Sequence, residues 1–525
     1  MNQSILKFVI LLLCCAPLSA FAQITAFVNV AVIPMSDGPT LLTDQTVLVV
    51  DDVIEDIGPT GSVTIPGDAQ IIDGTGAYLM PGIADMHMHL NADPSPDYMH
   101  LFMAQGVTTI RNFNGLPKHA IWRDEIAEGT RIGPTIITSG PAIVGLPAGM
   151  GVMRIKLHML SLALSLGIFA VGWLLLWLFA RFVRGPDAGR RAMRLLLPGA
   201  VLFLALGTVA AWQKLVPINL LTQSTLPDAN VADTPWQARS FVHRQNGEDY
   251  DFMKIYDFLS DEAFLAAHDE AEIRGIYTVG HVLDSLPLKT VLDAGLDEIA
   301  HINEFLEEHS QGVASPTDFV PLPVDMTKIP VSVATVKAHD IMVVSNLVAD
   351  ENMIAYLEAG PDYFNRPEYD VLRPAIKAQW RNGKVLIWQG SQKWRKETTQ
   401  PLFVALISAL HKADVPLLIG TDTSIDGIMP SHIHRELELL VEAGFTPFDA
   451  LKAATVNAAM SADRMGIDGE FGQIEVGKRA DLLMLSQNPL DNVGATRHRL
   501  GVMLRGVWYD QAQLDEMVSD LVKTY

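Results

Sequence analysis

The feature that most limits the fold is an alternation of short apolar strands with helical stretches. Strands joined by helical crossovers pair in parallel, and their helices cover the faces of the sheet. Eight strands of this kind predict an α/β fold with a (β/α)8 barrel, also called a TIM barrel. The eight candidate strands are 83–89, 107–112, 135–139, 251–256, 276–281, 298–301, 342–346 and 416–422.

Several of these strands end in side chains that can bind metals. The active site of a parallel barrel lies at the carboxyl ends of its strands. The residues found there are His89, Lys254, His281, His301 and Asp422. A single histidine at a strand end is more often a packed core residue, so the functional interpretation depends on the recurrence at successive strands.

The first strand carries a second histidine, His87, two positions before His89. Side chains at i and i+2 of a strand point to the same side. The pair can therefore place two neutral imidazoles on one metal ion. An unpaired ammonium group at the end of the apolar strand around Lys254 is costly to bury. A carbamate formed with carbon dioxide would make this side chain an anion that bridges two cations.

The two ends of the chain have a different character from the barrel region. Short β-branched runs separated by Gly and Pro turns occupy residues 24–80, and a similar pattern returns at 472–485. This pattern predicts a small β-sandwich built from both chain ends. The net charge of -22 over 525 residues excludes nucleic acid as a partner, because phosphate binding needs a basic face.

The first 22 residues have the pattern of a secretory signal peptide. Lys7 precedes the apolar run 8–17, and Ala20-Phe21-Ala22 provides a cleavage site. The only two cysteines of the chain, Cys14 and Cys15, lie inside this segment. A mature chain without them has neither a disulfide framework nor a thiolate metal site.

Two long apolar segments, 157–180 and 195–213, interrupt the barrel pattern after the third strand. Each has about the 20 residues that cross a bilayer. The Arg-rich connector 181–194 predicts a cytoplasmic loop. The expected result is an inserted two-helix transmembrane hairpin, which makes the membrane a partner and anchors the catalytic domain on the extracytoplasmic (periplasmic) side. A buried helical hairpin is the alternative.

These patterns predict six segments. They are a signal peptide (1–22), the N-terminal part of the β-sandwich (23–80), the first part of the barrel (81–150), the hairpin (151–220), the second part of the barrel (221–462) and the C-terminal part of the sandwich with a tail (463–525).

The motifs at the strand ends resemble those of the metal-dependent amidohydrolase superfamily, in its imidazolonepropionase-like and Xaa-Pro dipeptidase (prolidase)-like branch. The resemblance covers about 24–145 and 233–509. The matching motifs are Met80-Pro81-Gly82-Ile83-Ala84-Asp85-Met86-His87-Met88-His89, Met253-Lys254-Ile255-Tyr256, Gly280-His281, Ala300-His301, Gly420-Thr421-Asp422 and Gly477-Lys478-Arg479-Ala480-Asp481-Leu482.

The resemblance implies a site with two divalent metal ions, of which zinc is the expected identity. One metal takes His87, His89 and Asp422, the other takes His281 and His301, and N6-carboxylated Lys254 bridges them. Two metals can hold a bridging hydroxide that attacks an amide carbonyl. Asp422 would then be the catalytic residue that moves the proton to the leaving amine.

Three further residues are candidates for substrate binding. Arg111 can pair with a substrate carboxylate or form a structural ion pair, Tyr256 can bond to substrate, and His434 matches a family position near the substrate or has a capping or core role. The family often has Asp after this Arg, and here the residue is Asn112. The family also commonly has Glu where this chain has Ala300 before His301.

The resulting expectation is an exported, membrane-anchored, metal-dependent hydrolase. Its substrate would be a small molecule with an amide bond, either a dipeptide or an N-acyl amino acid. A homo-oligomeric assembly is compatible with this expectation. The alternatives are a hydrolase of cyclic amides or lactones and a non-catalytic membrane scaffold on a retained barrel.

Overall fold

The computed structural model describes residues 23–38, 40–90, 95–145, 229–310, 323–381, 390–423 and 427–525, together with the isolated residues Leu174, Leu178 and Phe182. The predicted signal peptide, 1–22, lies outside the described residues and stays a prediction.

Eighteen strands lie within these ranges. They are β1 (Ile24–Val32), β2 (Leu42–Val50), β3 (Val53–Pro59), β4 (Gln70–Asp73), β5 (Tyr78–Pro81), β6 (Ile83–Met88), β7 (Val107–Asn112), β8 (Thr135–Thr138), β9 (Ala142–Val144), β10 (Ala229–Val231), β11 (Met253–Ile255), β12 (Thr278–Gly280), β13 (Glu298–Ile299), β14 (Met342–Val344), β15 (Leu417–Leu418), β16 (Leu482–Leu485), β17 (Arg499–Leu504) and β18 (Val507–Asp510).

The described helices follow most of the central strands. They are α1 (His100–Met103), α2 (Pro117–Ala127), α3 (Pro235–Gln245), α4 (Asp261–Arg274), α5 (Leu288–Asp293), α6 (Leu306–His309), α7 (Ile329–Ala338), α8 (Leu347–Ala359), α9 (Pro374–Arg381), α10 (Gln392–Trp394), α11 (Gln400–Lys412), α12 (Ile433–Glu442), α13 (Pro447–Ala453), α14 (Val456–Arg464) and α15 (Gln511–Lys523).

Eight parallel strands form a closed ring. Strands β6, β7 and β8 pair in that order, and β11 through β15 pair successively in a second sheet. A bridge between Ser139 and Phe252 joins β8 to β11, and a bridge between Met88 and Thr423 joins the last strand to the first. Since all eight strands run the same way, their carboxyl ends share one rim. Strands β9 and β10 add to the edge of β11.

The two ends of the chain share a separate sheet. Its eight strands are β1 to β5 and β16 to β18, in the order β18-β17-β16-β5-β1-β2-β3, with β4 beside β1. One contact between the chain ends is the antiparallel pairing of β5 with β16, which aligns Pro81 with Leu482. Because Pro81 directly precedes the first barrel strand, this pairing fixes where the barrel begins.

The predicted fold class is wrong in one component, the inserted transmembrane hairpin. Among the described residues, none of the helices combines the length and the apolar character that crossing a bilayer requires. The longest of them, α4, has 14 residues, or about 21 Å, against an apolar bilayer thickness of about 30 Å. The prediction rested on the apolar runs and the Arg-rich connector between them, and the described helices do not support it. Apart from Leu174 and Leu178, segments 157–180 and 195–213 lie outside the described residues.

A buried ion pair crosses the interior of the ring. Arg111 on β7 and Glu298 on β13, four strands away, are both fully buried and paired by two hydrogen bonds, one of 3.0 Å from Nη1 to Oε2. Ser461 Oγ donates to Glu298 Oε2 at 2.8 Å, and Arg111 Nε donates to the carbonyl oxygen of Met86 at 2.8 Å. The pair therefore ties two opposite strands together beneath the rim.

We expect the Glu298→Gln substitution to lower the free energy of unfolding by about 3–5 kcal/mol, because it leaves the Arg111 charge buried without a counterion. Chemical denaturation followed by tryptophan fluorescence measures the change. The matched control is Lys289→Gln, which breaks an exposed pair with Asp293 and should change stability by less than about 1 kcal/mol. Equal stability of Glu298→Gln and the wild type would contradict the structural role of the pair.

Candidate metal centre

The first group of donor atoms lies where the last strand meets the first. His87 lies on β6, which is buried along its whole length, and His89 follows it by two residues. Asp422 Oδ1 is 3.5 Å from His87 Nε2 and 3.0 Å from His89 Nε2. These three side chains can offer donor atoms within 4.8 Å of one another. The structure thus brings together the three residues that the sequence assigned to one metal.

Backbone contacts hold Asp422 in this position. Its N–H donates to the carbonyl oxygen of His87 at 2.7 Å, and its φ is +60°, in the left-handed region that is unfavourable for a residue other than glycine. A Cβ at Gly420 would lie 2.6 Å from the Cβ of His87. The last strand can approach the first this closely because residue 420 has no side chain.

Asp85 fastens the same junction from below. Its carboxylate accepts a 3.0 Å hydrogen bond from the N–H of Thr421 and a 2.6 Å bond from Thr421 Oγ1. Asp85 is fully buried, and burial raises its pKa to about 7. These bonds position the residue directly before Asp422, so Asp85 acts on the site through the backbone.

The second group of donor atoms is formed by His281, His301 and Glu304. His281 follows β12 and His301 follows β13, and their Nε2 atoms are 3.3 Å apart. The ring of His301 is also 4.4 Å, centre to centre, from the ring of His87. The two groups of donors are therefore neighbours at the rim.

Hydrogen bonds at Nδ1 orient the three imidazoles. His87 Nδ1 donates to the carbonyl oxygen of Ala300 at 2.9 Å, His281 Nδ1 to Asp257 at 2.9 Å, and His301 Nδ1 to Asn303 Oδ1 at 3.0 Å. Protons at Nδ1 leave each Nε2 with a free lone pair. Burial lowers the pKa of all three rings, which keeps them neutral.

Lys254 is a buried amine between the two groups. It is 2% exposed, and its Nζ has no hydrogen-bond partner in the part of the chain that the structure describes. Phe113 and Tyr256 lie around it, with ring centres 4.9 and 5.4 Å from Nζ. Burial lowers the pKa of Lys254 to about 8, against an opposing contribution from the Glu304, Asp257 and Asp422 carboxylates.

The donor set fits a pair of metal ions. Three buried polar atoms that face this space lack hydrogen-bond partners among the described residues, namely His87 Nε2, Lys254 Nζ and Asp422 Oδ1. The unprotonated Nε2 atoms of His281 and His301 face each other at 3.3 Å, an arrangement that a shared cation stabilises. Imidazole and carboxylate donors suit Zn²⁺.

The three predicted substrate-binding residues have different surroundings. Arg111 makes the contacts of its structural alternative, because its guanidinium bonds to Glu298, Ser461 and Met86. The ring of Tyr256 is 36% exposed and lies 4.1 Å from the ring of His281, so it stays a candidate.

His434 has the core role that the sequence left open. It is buried, its Nδ1 donates to Thr496 Oγ1 at 2.9 Å, and its Nε2 accepts from Arg499 Nη1 at 3.1 Å. With both ring nitrogens bonded to protein, His434 joins α12 to the segment before β17.

Sequence reasoning missed Asp257 and Glu304, which contact the metal-binding histidines, and the positioning residue Asp85. Glu304 follows His301 by three residues, and Asp257 follows Lys254 by three, spacings that place a carboxylate near the preceding strand end when the chain turns there. Asp85 stands two positions before His87, so it shares the inward face of the strand.

Comparison with known proteins agrees with this geometry. Residues 258–509 match the family described as the Amidohydrolase family. Ochratoxinase from Aspergillus niger is 40% identical over 84 residues, which is 16% of this chain and 16% of that protein, so the aligned part spans about a sixth of the relative's length.

Two solved structures show the same fold. A Xaa-Pro dipeptidase with bound methionine in the active site has a TM-score of 0.59 at 16% identity, over 93% of this chain and 100% of the other. The A. niger ochratoxinase structure has a TM-score of 0.57 at 17% identity, over 93% and 96% of the two chains. These findings agree with the resemblance of the motifs at the strand ends: residues 258–509 match the Amidohydrolase family, and the chain has the same fold as the two solved structures.

Proposed function

We propose that this protein is a two-metal hydrolase that cleaves the amide bond of a small peptide-like molecule, such as a dipeptide or an N-acyl amino acid. The observation that carries the proposal is the set of unpartnered buried atoms at the rim, His87 Nε2, Lys254 Nζ and Asp422 Oδ1. A purely structural barrel has no use for three such atoms around one space, since each is unfavourable to bury. This argues against the scaffold alternative.

The residues of the site divide the work of hydrolysis. Two divalent ions, with zinc the expected metal, would supply an activated water and polarise the carbonyl group of the substrate when bound. His87, His89, His281 and His301 would hold them. Asp422, whose side chain is 16% exposed, reaches the substrate space. Its Oδ atoms accept the proton of the attacking water and return it to the amine that leaves.

Lys254 would bridge the ions as a carbamate. Its neutral Nζ attacks carbon dioxide, an N–C bond forms, and one proton leaves, so that the product is an anion. Support comes from the position of Nζ, which is buried, without a hydrogen-bond partner among the described residues and within electrostatic reach of the Glu304, Asp257 and Asp422 carboxylates. A carbamate changes an unpaired buried cation into a ligand with charge opposite to that of the metals.

The substrate class is inferred from the relatives and the chemistry together. The named structural neighbours include a Xaa-Pro dipeptidase and an ochratoxinase. The extracytoplasmic location and the homo-oligomer stay predictions from the sequence. Cyclic amides and lactones present the same carbonyl chemistry and stay the alternative substrates.

Removal of the metals should abolish hydrolysis and lower the thermal unfolding temperature. Ions bound at about 1,000 times their Kd stabilise the folded state by about 4 kcal/mol. The measurement is hydrolysis of a dipeptide and N-acyl amino acid library, with metal content per chain, before and after dialysis against a chelator and after return of Zn²⁺. Undiminished hydrolysis by the chelated, metal-free protein would overturn the proposal.

The Asp422→Asn variant should lose about 10²–10⁴-fold in kcat, because the amide group cannot accept the proton. The assay includes metal content, so that loss of a ligand is separated from loss of the base. Asp414→Asn is a matched control, since Asp414 also has a positive φ, of 57°, but is exposed and remote from the rim. Wild-type kcat in Asp422→Asn would count against the assigned role.

Lys254→Ala should lose activity and part of its metal, and acetate or propionate supplied with Zn²⁺ should partly restore both by filling the space of the carbamate. Activity of the wild type after reconstitution should depend on bicarbonate. Lys289→Ala, at an exposed lysine, is the control. Full activity of Lys254→Ala without added acid would exclude the bridging role.

A further inference from the structure

The turn that follows β14 presents an unusual asparagine. Asn346 lies two residues beyond the end of β14 and begins α8 as its N-cap residue. Its φ and ψ are +45° and +32°, in the left-handed region. Asparagine adopts this conformation more readily than most residues, yet glycine adopts it with less strain. Residues held in this region often lie at functional sites, which directs attention to the side chain.

An N-cap asparagine normally bonds to the first N–H groups of its own helix. Here the buried carboxylate of Glu436, on α12, takes that role. It accepts hydrogen bonds from Leu347 N at 3.1 Å and Val348 N at 2.6 Å, and a third bond from Ser345 Oγ. Asn346 makes no side-chain capping bond. The side chain of Asn346 is therefore not needed to cap its own helix.

The amide of Asn346 is buried and unpartnered. The residue is 4% exposed, and neither Nδ2 nor Oδ1 has a hydrogen-bond partner in the described ranges of the chain. Leaving both a donor and an acceptor unpaired is unfavourable, whereas a ligand that offers one acceptor and one donor would satisfy both.

The strand register places Asn346 at the rim that carries the metal-binding residues. Val343 is aligned with Ile299 and Val344 with Leu418. Extended by three residues, the pairing of β14 with β13 brings Asn346 level with Ile302, which follows His301. Extended by two residues, the pairing of β14 with β15 brings Asn346 level with Gly420, two residues before Asp422. Val344 also packs close to Gly420, since a Cβ at Gly420 would lie 2.7 Å from Val344 Cγ1.

We propose that Asn346 is a substrate-binding residue that recognises a secondary amide. Its Oδ1 accepts a hydrogen bond from the amide N–H, and its Nδ2 donates to a carbonyl oxygen. An uncharged group fits better than a carboxylate, because Glu436 caps the same turn and none of the described cationic side chains forms a hydrogen bond with Asn346. This assignment rests on the proposed amide hydrolysis and adds a preference for substrates whose amide nitrogen carries a hydrogen.

The test compares glycyl-L-leucine with its analogue methylated at the peptide nitrogen. In the zinc-loaded wild-type protein we expect kcat/KM to be at least about tenfold higher for the secondary amide than for the methylated peptide. In the Asp422→Asn background, we expect calorimetry to give a Kd at least about tenfold lower for the secondary amide. Asn346→Gly removes the amide and relaxes the backbone. It should fold at least as stably as the wild type and reduce both ratios to within about twofold.

Asn29→Gly is the matched control, because Asn29 also has a positive φ, of 56°, and lies in the sheet of the chain ends. It should leave both ratios unchanged. Equal ratios in Asn346→Gly and the wild type would overturn the assignment to Asn346. If neither peptide is hydrolysed, the proposed reaction fails for this substrate, and the ratio of Kd values still tests the role of Asn346. A binding preference that is lost in Asn346→Gly supports this role. Equal or undetectable binding of the two peptides, with and without the Asn346→Gly substitution, rejects it.

Discussion

The closure of the ring between its last and first strands is the contact on which the site depends. Asp85 binds the backbone and hydroxyl of Thr421, and Asp422 N–H binds the carbonyl oxygen of His87. These bonds connect residues more than 330 positions apart in sequence. Without them, the donor atoms of β6 would have no fixed relation to Asp422. The same contacts therefore close the barrel and bring together the first group of donor atoms, His87, His89 and Asp422.

The charged groups inside the ring differ in whether they are bonded to other protein groups. Beneath the rim, Arg111 and Glu298 neutralise each other and are surrounded by hydrogen-bonding groups. At the rim, Lys254 has carboxylates in its surroundings but no hydrogen-bond partner among the described residues. The charged groups of the lower layer are bonded to one another, whereas the amine at the rim is left for the proposed ligands. This contrast separates the residues that hold the barrel together from those proposed to act on a substrate.

The sequence predicted the features that follow from a residue's position along a strand, namely the strands themselves and the side chains at their carboxyl ends. The eight strands lie near their expected places, and His87, His89, Lys254, His281, His301 and Asp422 all end at the rim, because strand direction and period determine where their side chains point. Contacts between distant side chains were not predictable in the same way. The partner of Arg111 is 187 residues away, and His434 is occupied by Thr496 and Arg499. The predicted hairpin finds no support among the described helices, none of which has the length and apolar character to cross a bilayer.

Unpaired buried atoms identify functional residues only in combination with their place in the fold. Thr108 and Thr109 on β7 also have hydroxyl groups without partners among the described residues, but they lie in the first half of their strand. Asn346 and Lys254 have the same property at the carboxyl rim, where substrates of parallel barrels bind. Glu436 explains why Asn346 can stay unpaired without loss of its helix, because the carboxylate has taken over the capping bonds. A side chain that is relieved of its structural bonds, held in a strained conformation and placed at the rim meets three independent conditions for contact with a ligand.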